Sequence, residues 1–180
     1  RDMTPAHQTL VRAQAETMQA QVQTYLDRAR IAAHRGSVLA RTEAAPVIER
    51  LGRVMAKLNR DLDFATDIEP RYAVLAMESQ DLEEALGNLV ENAAKFARQS
   101  ITIRLRPVPA AGDQRPMFRI DIEDDGPGLD EAGMREAVKR GRRLDETKPG
   151  TGLGLSIVGE IASEYNGAFA LAKAGTGGLS

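Results

Sequence analysis

Asn88, Asn92 and Lys95 recur at steps of four and three, so one helical stripe carries two carboxamides and an ammonium. Surface helices usually prefer Glu and Lys to Asn, because Asn competes with the backbone. Asn belongs where its oxygen has a task, such as holding Mg²⁺, a hard cation that takes oxygen ligands and keeps waters and phosphates. Lys95, one turn on, would meet a phosphate as a point charge. Alone, the stripe reads better as a solvated face. Downstream, the apolar alternation Phe118, Ile120, Ile122 runs into Asp124-Asp125-Gly126-Pro127-Gly128. Asp, Gly and Pro all favour turns, so a plain turn is one reading. The other is a strand-end carboxylate that accepts a hydrogen bond from a ligand's exocyclic amine, with glycines letting that ligand approach the backbone. A second glycine cluster, Gly150-Thr151-Gly152-Leu153-Gly154-Leu155, opens an apolar helix, and free N–H groups at a helix start suit phosphate. It is no Walker loop, since no Gly-Lys-Ser/Thr follows, and Leu155 stands where the dinucleotide fingerprint needs its third glycine.

The elements that position these residues follow from periodicity. Leu82, Leu86, Leu89, Val90, Ala93 and Ala97 give a core face to a helix over 79–97, with Asp81 and Glu84 as a capping-box-like start. Ile101, Ile103 and Leu105 alternate with Thr102, Arg104 and Arg106, and Phe118–Glu123 alternates likewise, which predicts an antiparallel hairpin joined by 107–116. Upstream, Ser37–Arg41 reads as a short strand and Ala44–Asn59 as a helix. Asp63–Ile68 and Ala73–Met77 read as strands. Glu131–Lys139 reads as a short helix, and the charged, aperiodic 140–150 as a mobile loop. Ser156–Tyr165 reads as a helix and Phe169–Ala172 as a strand.

The first 36 residues differ in kind. Thr4-Pro5 starts a helix and Gly36 ends one. Val11, Ala15, Met18, Val22, Tyr25, Ala29 and Ala32 form a heptad seam. So narrow a stripe favours a partner helix in a multi-chain bundle over a fold back onto its own domain. His7 and His34, the only histidines, read as solvated helix residues rather than catalytic ones. Two units are expected, 1–36 and 37–180.

Composition bounds the rest. A chain of 180 residues affords one sizeable core. A net charge of −2 suggests no nucleic-acid partner. With no cysteine there is no disulfide, thiol nucleophile or cysteine zinc site. No apolar run approaches the roughly 18 residues that span a bilayer, and no signal-peptide pattern is present. A start at Arg1 reads as a piece of something longer.

Taken in order, Asn88-Leu-Val-Glu-Asn92-Ala-Ala-Lys95-Phe96 resembles the N box of the sensor histidine kinases. Asp124-Asp-Gly126-Pro-Gly128 resembles their G1 box, and Gly150–Leu155 their G2 box. The run Arg140–Gly150 looks most like the PhoQ-type branch. The resemblance implies an α+β fold: a two-layer α/β sandwich of the Bergerat ATP-binding kind, a mixed sheet covered by helices, preceded by one long coiled-coil-like helix. It implies ATP and Mg²⁺ as cofactors, with Asn92 the metal ligand and Asn88 and Lys95 near the phosphates. Asp124 would bind the adenine amino group, Phe96 would lie against the nucleotide, and Gly126, Gly128, Gly152 and Gly154 would shape the pocket with Gly150, Thr151, Leu153 and Leu155. Arg143 and Lys148 match lid cations that meet the γ-phosphate; with Asn88 and Lys95 they form the expected catalytic set. The implied partners are a response regulator and a second copy, joined through the N-terminal helix. The implied location is the cytoplasmic portion of a bacterial inner-membrane sensor kinase.

Three departures qualify this. The H box with the phosphorylated histidine is absent, so this chain is expected to bind ATP without phosphorylating itself. No F-box phenylalanine occurs in Met134–Val138. The sheet is expected to lack the family's last strand, which would follow Gly178. In the gyrase B and Hsp90 group a glutamate four residues before the metal-binding asparagine activates water. Asn88 stands there, and a carboxamide is no base at neutral pH. That favours transfer to a protein histidine over hydrolysis. The alternative is a nucleotide-sensing or docking module that binds ATP without transfer.

Overall fold

The computed structural model describes residues 40–109, 116–137, 154–175 and 177–180. The heptad arm, both histidines, most of the strand expected over 37–41, and the loop over 140–150 lie outside the described residues. So do Arg143, Lys148, Gly150, Thr151, Gly152 and Leu153.

Among the described residues, two helices lie on one face of a three-stranded sheet. Helix α1 spans Ala44–Leu58 and α2 spans Ser79–Phe96. Strands β2 (Asp63–Ile68), β4 (Ser100–Val108) and β5 (Met117–Asp124) form the sheet in the order β2-β4-β5. β2 runs parallel to β4, and β4 antiparallel to β5, so the sheet is mixed and the expected hairpin is present. Two short strands, β1 (Thr42–Glu43) and β3 (Val74–Leu75), pair antiparallel beside it. Helices α3 (Glu131–Ala137) and α4 (Gly154–Glu164) complete the set. α2 packs against α1, α4, β4 and β5.

The period-two pattern of β4 decides the layers. Ile101, Ile103 and Leu105 are fully buried against the helices, and their apolar neighbours in register are Phe64, Ile68, Ile120 and Ile122. Leu82, Leu86, Val90 and Ala93 bury the facing side of α2. Truncating a residue such as Ile103 or Leu86 to Ala costs about 2–5 kcal/mol in a core of this kind. The opposite face of the sheet carries charges. Arg104 bridges Glu123 at 2.5 Å, and Arg106 pairs with Asp67. Such half-exposed pairs add about 0–1 kcal/mol each, so burial on the helix side holds the layers together.

The structure corrects four local readings. Ala40 and Arg41 are not strand; pairing begins at Thr42, whose hydroxyl also donates to the Met77 carbonyl at 2.7 Å. α2 begins at Ser79, and its N-cap Glu78 makes no side-chain cap. Asp81 therefore lies inside the first turn, where its charge suits the positive end of the helix. Phe169–Ala172 forms no strand. A strand needs a ladder, and partners begin only at Ala172, which exchanges N–H···O bonds of 2.8 Å with Ser180. Finally, the last residues do begin a pairing against β5: the Asp124 N–H donates to the Leu179 carbonyl at 3.0 Å.

Candidate functional site

β5 delivers the acid. Asp124 is its last residue and lies in register with fully buried Ile101, so its side chain falls on the helix-facing side of the sheet. It is only 4 % exposed. Its carboxylate Oδ1 accepts the Gly126 N–H at 2.8 Å. Burial pushes its pKa above the usual carboxylate value; the N–H groups of Gly126 and Leu179 oppose this, and the neighbouring Asp125 charge adds to it. A buried carboxylate with raised affinity for protons is a strong acceptor for a ligand N–H donor.

Asp125, one residue on, has left the strand, and its surroundings are the reverse. It is partly exposed and accepts the N–H groups of Arg98 (2.8 Å) and Gln99 (3.0 Å), just past the end of α2. Those bonds, the Gln99 one foremost, hold its pKa down to about 2. The turn is thus tied to α2 by a carboxylate that stays ionised.

The glycines are required by contact. A Cβ on Gly126 would lie 2.5 Å from the Phe96 carbonyl oxygen and 2.7 Å from the Asp124 Oδ1. Gly128 has φ +68, and a Cβ there would meet the Gly177 carbonyl at 2.7 Å. A Cβ on Gly178 would overlap both the backbone and the carboxylate of Asp124. No local motif marks Gly178. Its contact with Asp124 is tertiary, and only the glycine repeat Gly175–Gly178 hinted at a close backbone approach.

On α2, Asn88 donates its Nδ2 to the Glu84 carbonyl at 2.9 Å. Its Oδ1 faces the start of α4: a Cβ on Gly154 would lie 2.9 Å from it. Asn92 is half-buried and Lys95 is exposed in the last turn. Phe96, half-buried, ends the helix against Gly126. A cavity of about 300 Å³ lies between α2, β5 and the C-terminal stretch, and Asn92, Asp124 and Leu155 share its wall. Ala93, Leu89 and Ile122 supply apolar surface there. That volume is at the lower end for a ligand pocket, enough for a nucleobase rather than a whole nucleotide. Asn88, Lys95, Phe96, Gly126 and Gly128 adjoin these elements but do not line the cavity. Among the described residues no cluster of three or more His, Cys, Asp or Glu side chains is placed to hold a metal. A divalent ion here would take from these residues a neutral oxygen, as Asn92 offers, and the rest of its shell from phosphate and water.

Residues 77–179 match the family model described as histidine kinase-, DNA gyrase B- and HSP90-like ATPase. The chain is 31% identical over 163 residues to the sensor protein PhoQ of Escherichia coli K12, covering 88% of this chain and 32% of PhoQ. It is 31% identical over 171 residues to the two-component sensor PhoQ of Pseudomonas aeruginosa, covering 94% of this chain and 36% of that protein. The chain therefore spans about a third of the relatives it matches. Among solved structures, the mycobacterial sensor histidine kinase MprB superposes with a TM-score of 0.64 at 24% identity, covering 74% of this chain and 84% of that one. The ATP-binding domain of PrrB from Mycobacterium tuberculosis gives 0.63 at 20%, covering 78% and 90%. These likenesses show the fold: the mixed sheet covered by helices.

Proposed function

We propose a function from the premise that this chain belongs to the family of histidine kinase-, DNA gyrase B- and HSP90-like ATPases. It is the ATP-binding catalytic part of a sensor histidine kinase. The buried carboxylate of Asp124, aimed at the helix layer and sharing a wall with Asn92, carries this reading. Asp124 accepts the exocyclic N–H of adenine, and apolar surface around it excludes water from that bond. Mg²⁺ at Asn92 fits the donor present, and when bound it supplies positive charge to the phosphates. Lys95 adds charge from the last turn of α2. The N–H groups at the start of α4 point toward the phosphate region beside Asn88. Arg143 and Lys148 complete the set of cations for the γ-phosphate.

The γ-phosphoryl group passes to a histidine on the dimerisation hairpin: its bond to the bridging oxygen breaks, a P–N bond forms, and ADP leaves. Catalysis is then positioning and charge stabilisation. Asn88 argues for this against hydrolysis, since no carboxylate base occupies its place. The phosphoryl group goes on to an aspartate of a response regulator. The parent protein acts as a dimer, with this part in the cytoplasm.

The test has two stages. Titration with ATP and Mg²⁺ should show saturable binding, lost by on the order of a hundredfold in Asp124→Ala, the worth of a buried charged hydrogen bond. Supplying the histidine hairpin in trans with labelled ATP should then label that histidine. Unchanged affinity in Asp124→Ala would sink the site assignment. Binding without labelled histidine would leave a nucleotide-sensing module, and rapid free hydrolysis would restore an ATPase.

A further inference from the structure

Tyr165 belongs to none of the motifs above, yet it joins the two helices that flank the site. It follows α4, which ends where Asn166 takes φ 56 and the Gly167 N–H donates to the Ala162 carbonyl at 2.7 Å. This left-handed stop fixes where the tyrosine ring leaves the chain. Its hydroxyl donates to the carboxylate of Asp81 in the first turn of α2. It also accepts the N–H of Glu78, the N-cap residue, at 3.3 Å. The Glu78 side chain itself caps none of the helix N–H groups. Burial first, and the Asp81 bond second, push the hydroxyl up to about 12, so it remains a donor at neutral pH.

The same two helices meet at a second place, where Gly154 lies against the Asn88 carboxamide. Gly154 opens α4 and Tyr165 closes it; Asn88 is mid-α2 and Asp81 is at its start. The helices are therefore antiparallel and pinned at two points, roughly 10 Å apart along α2 at 1.5 Å per residue. Two pins fix both the axial position and the tilt of α4.

We propose that Tyr165 is a positioning residue for nucleotide phosphate: bonded to Asp81 and Glu78, it sets the place of α4 and holds the N–H groups of that helix's first turn beside Asn88. The proposal rests on the nucleotide-site reading, and it separates two parts of the ligand. Adenine is read by Asp124 from β5; phosphate is met from α4. Releasing Tyr165 should loosen the second and spare the first.

The experiment is a titration of the whole chain with ATP and, separately, adenosine, in the parent, Tyr165→Phe, Asp81→Asn and Asp81→Leu. Tyr165→Phe should weaken ATP about five- to tenfold, the worth of one net hydrogen bond, and leave adenosine unchanged. Asp81→Asn keeps an acceptor and should bind ATP nearly as the parent does, whereas Asp81→Leu should match Tyr165→Phe. Amide exchange at Val158 and Gly159, whose N–H groups bond back to the first turn of α4, should quicken in the two weakened variants alone. Equal loss of adenosine and ATP in Tyr165→Phe would mean general loosening and overturn the proposal, as would parental ATP affinity. A parent chain that binds neither ligand overturns the nucleotide reading itself, and with it this one; a parent that binds both isolates the failure to Tyr165.

Discussion

The two ends of α2 are held by opposite chemistry. At the start, a neutral hydroxyl from Tyr165 bonds a helix carboxylate and a helix N–H. At the finish, an ionised carboxylate from Asp125 takes two backbone N–H groups, and Gly126 packs on the Phe96 carbonyl. The first tie reaches another helix across 84 residues of sequence, the second a turn only 27 and 26 away. The difference lies in what each tie positions. The C-terminal tie sits one residue from Asp124, so on the proposed reading it governs the adenine end. The N-terminal tie reaches α4, and on the proposed reading it governs the phosphate end through that helix. A single helix thus carries two separable adjustments, and the Asn88–Lys95 stripe lies between them.

The largest expected effect comes from crowding the C-terminal tie. In Gly126→Ala the new methyl would meet the Phe96 carbonyl at 2.5 Å, and backbone on that side cannot rotate away. The turn must shift, at a cost of about 1–3 kcal/mol in unfolding free energy. Adenosine and ATP should weaken together, by about tenfold or more, because Asp124 moves with the turn. Gly178→Ala, whose methyl overlaps Asp124 directly, should behave alike. Denaturant melts and the paired titrations check both. If either variant keeps parental adenosine affinity while ATP falls, the division between the two ends of α2 is wrong.

What the sequence made legible follows the range of the interaction. The 3.6-residue period of Leu82, Leu86, Val90 and Ala93 gave the core face of α2, and the two-residue period of β4 and β5 gave the hairpin, because both are local. The same parity contained more than was read from it. Asp124 continues Phe118, Ile120 and Ile122, so alternation alone assigns it to the buried side and Asp125 to the other. The start of α2 at residue 79 is as expected, but its cap is not: Asp81 and Glu84 resemble a local capping box, whereas Asp81 is engaged by Tyr165. Phe169–Ala172 has strand-like residues but no ladder, and pairing is not a property of one segment. Gly178 against Asp124 is likewise invisible to any window of neighbours. The candidate site reads in the sequence as three motifs in order, the third of them largely outside the described residues; how Asn88 meets Gly154 is tertiary and has no such signal.

A smaller effect should appear at Asp124 itself. Burial raises its folded pKa, so its contribution to stability is present below the usual carboxylate value and is lost as pH rises through the raised one. At neutral pH the buried charge therefore costs stability. Asp124→Asn removes the charge and keeps an oxygen for the Gly126 N–H. The variant should melt above the parent at pH 7, with the gap closing on acidification, while ATP binding weakens. Thermal melts across pH decide it. A gap that is absent, or constant with pH, would mean that burial of this carboxylate is not what raises its pKa.

The smallest effect belongs to Asp125, and its sign is opposite. The N–H groups of Gln99 and Arg98 hold its folded pKa at about 2, below the usual 3.8. The linked stability is then present above about pH 4 and is lost as pH falls toward 2. Asp125→Asn keeps the shape and one acceptor oxygen but removes the charge, so only the charge-assisted part of the bonds is lost. It should melt slightly below the parent at neutral pH, and the two melting curves should converge between pH 4 and pH 2. Salt should change little, since the carboxylate is bonded to backbone N–H groups and not to a mobile cation. Two adjacent carboxylates then give pH profiles of opposite slope. Their separation reports the one-residue step between a strand's buried parity and the turn that pins it to α2. Parallel profiles would show that the C-terminal tie does not depend on an ionised Asp125, and the contrast with the neutral tie at Tyr165 would fall.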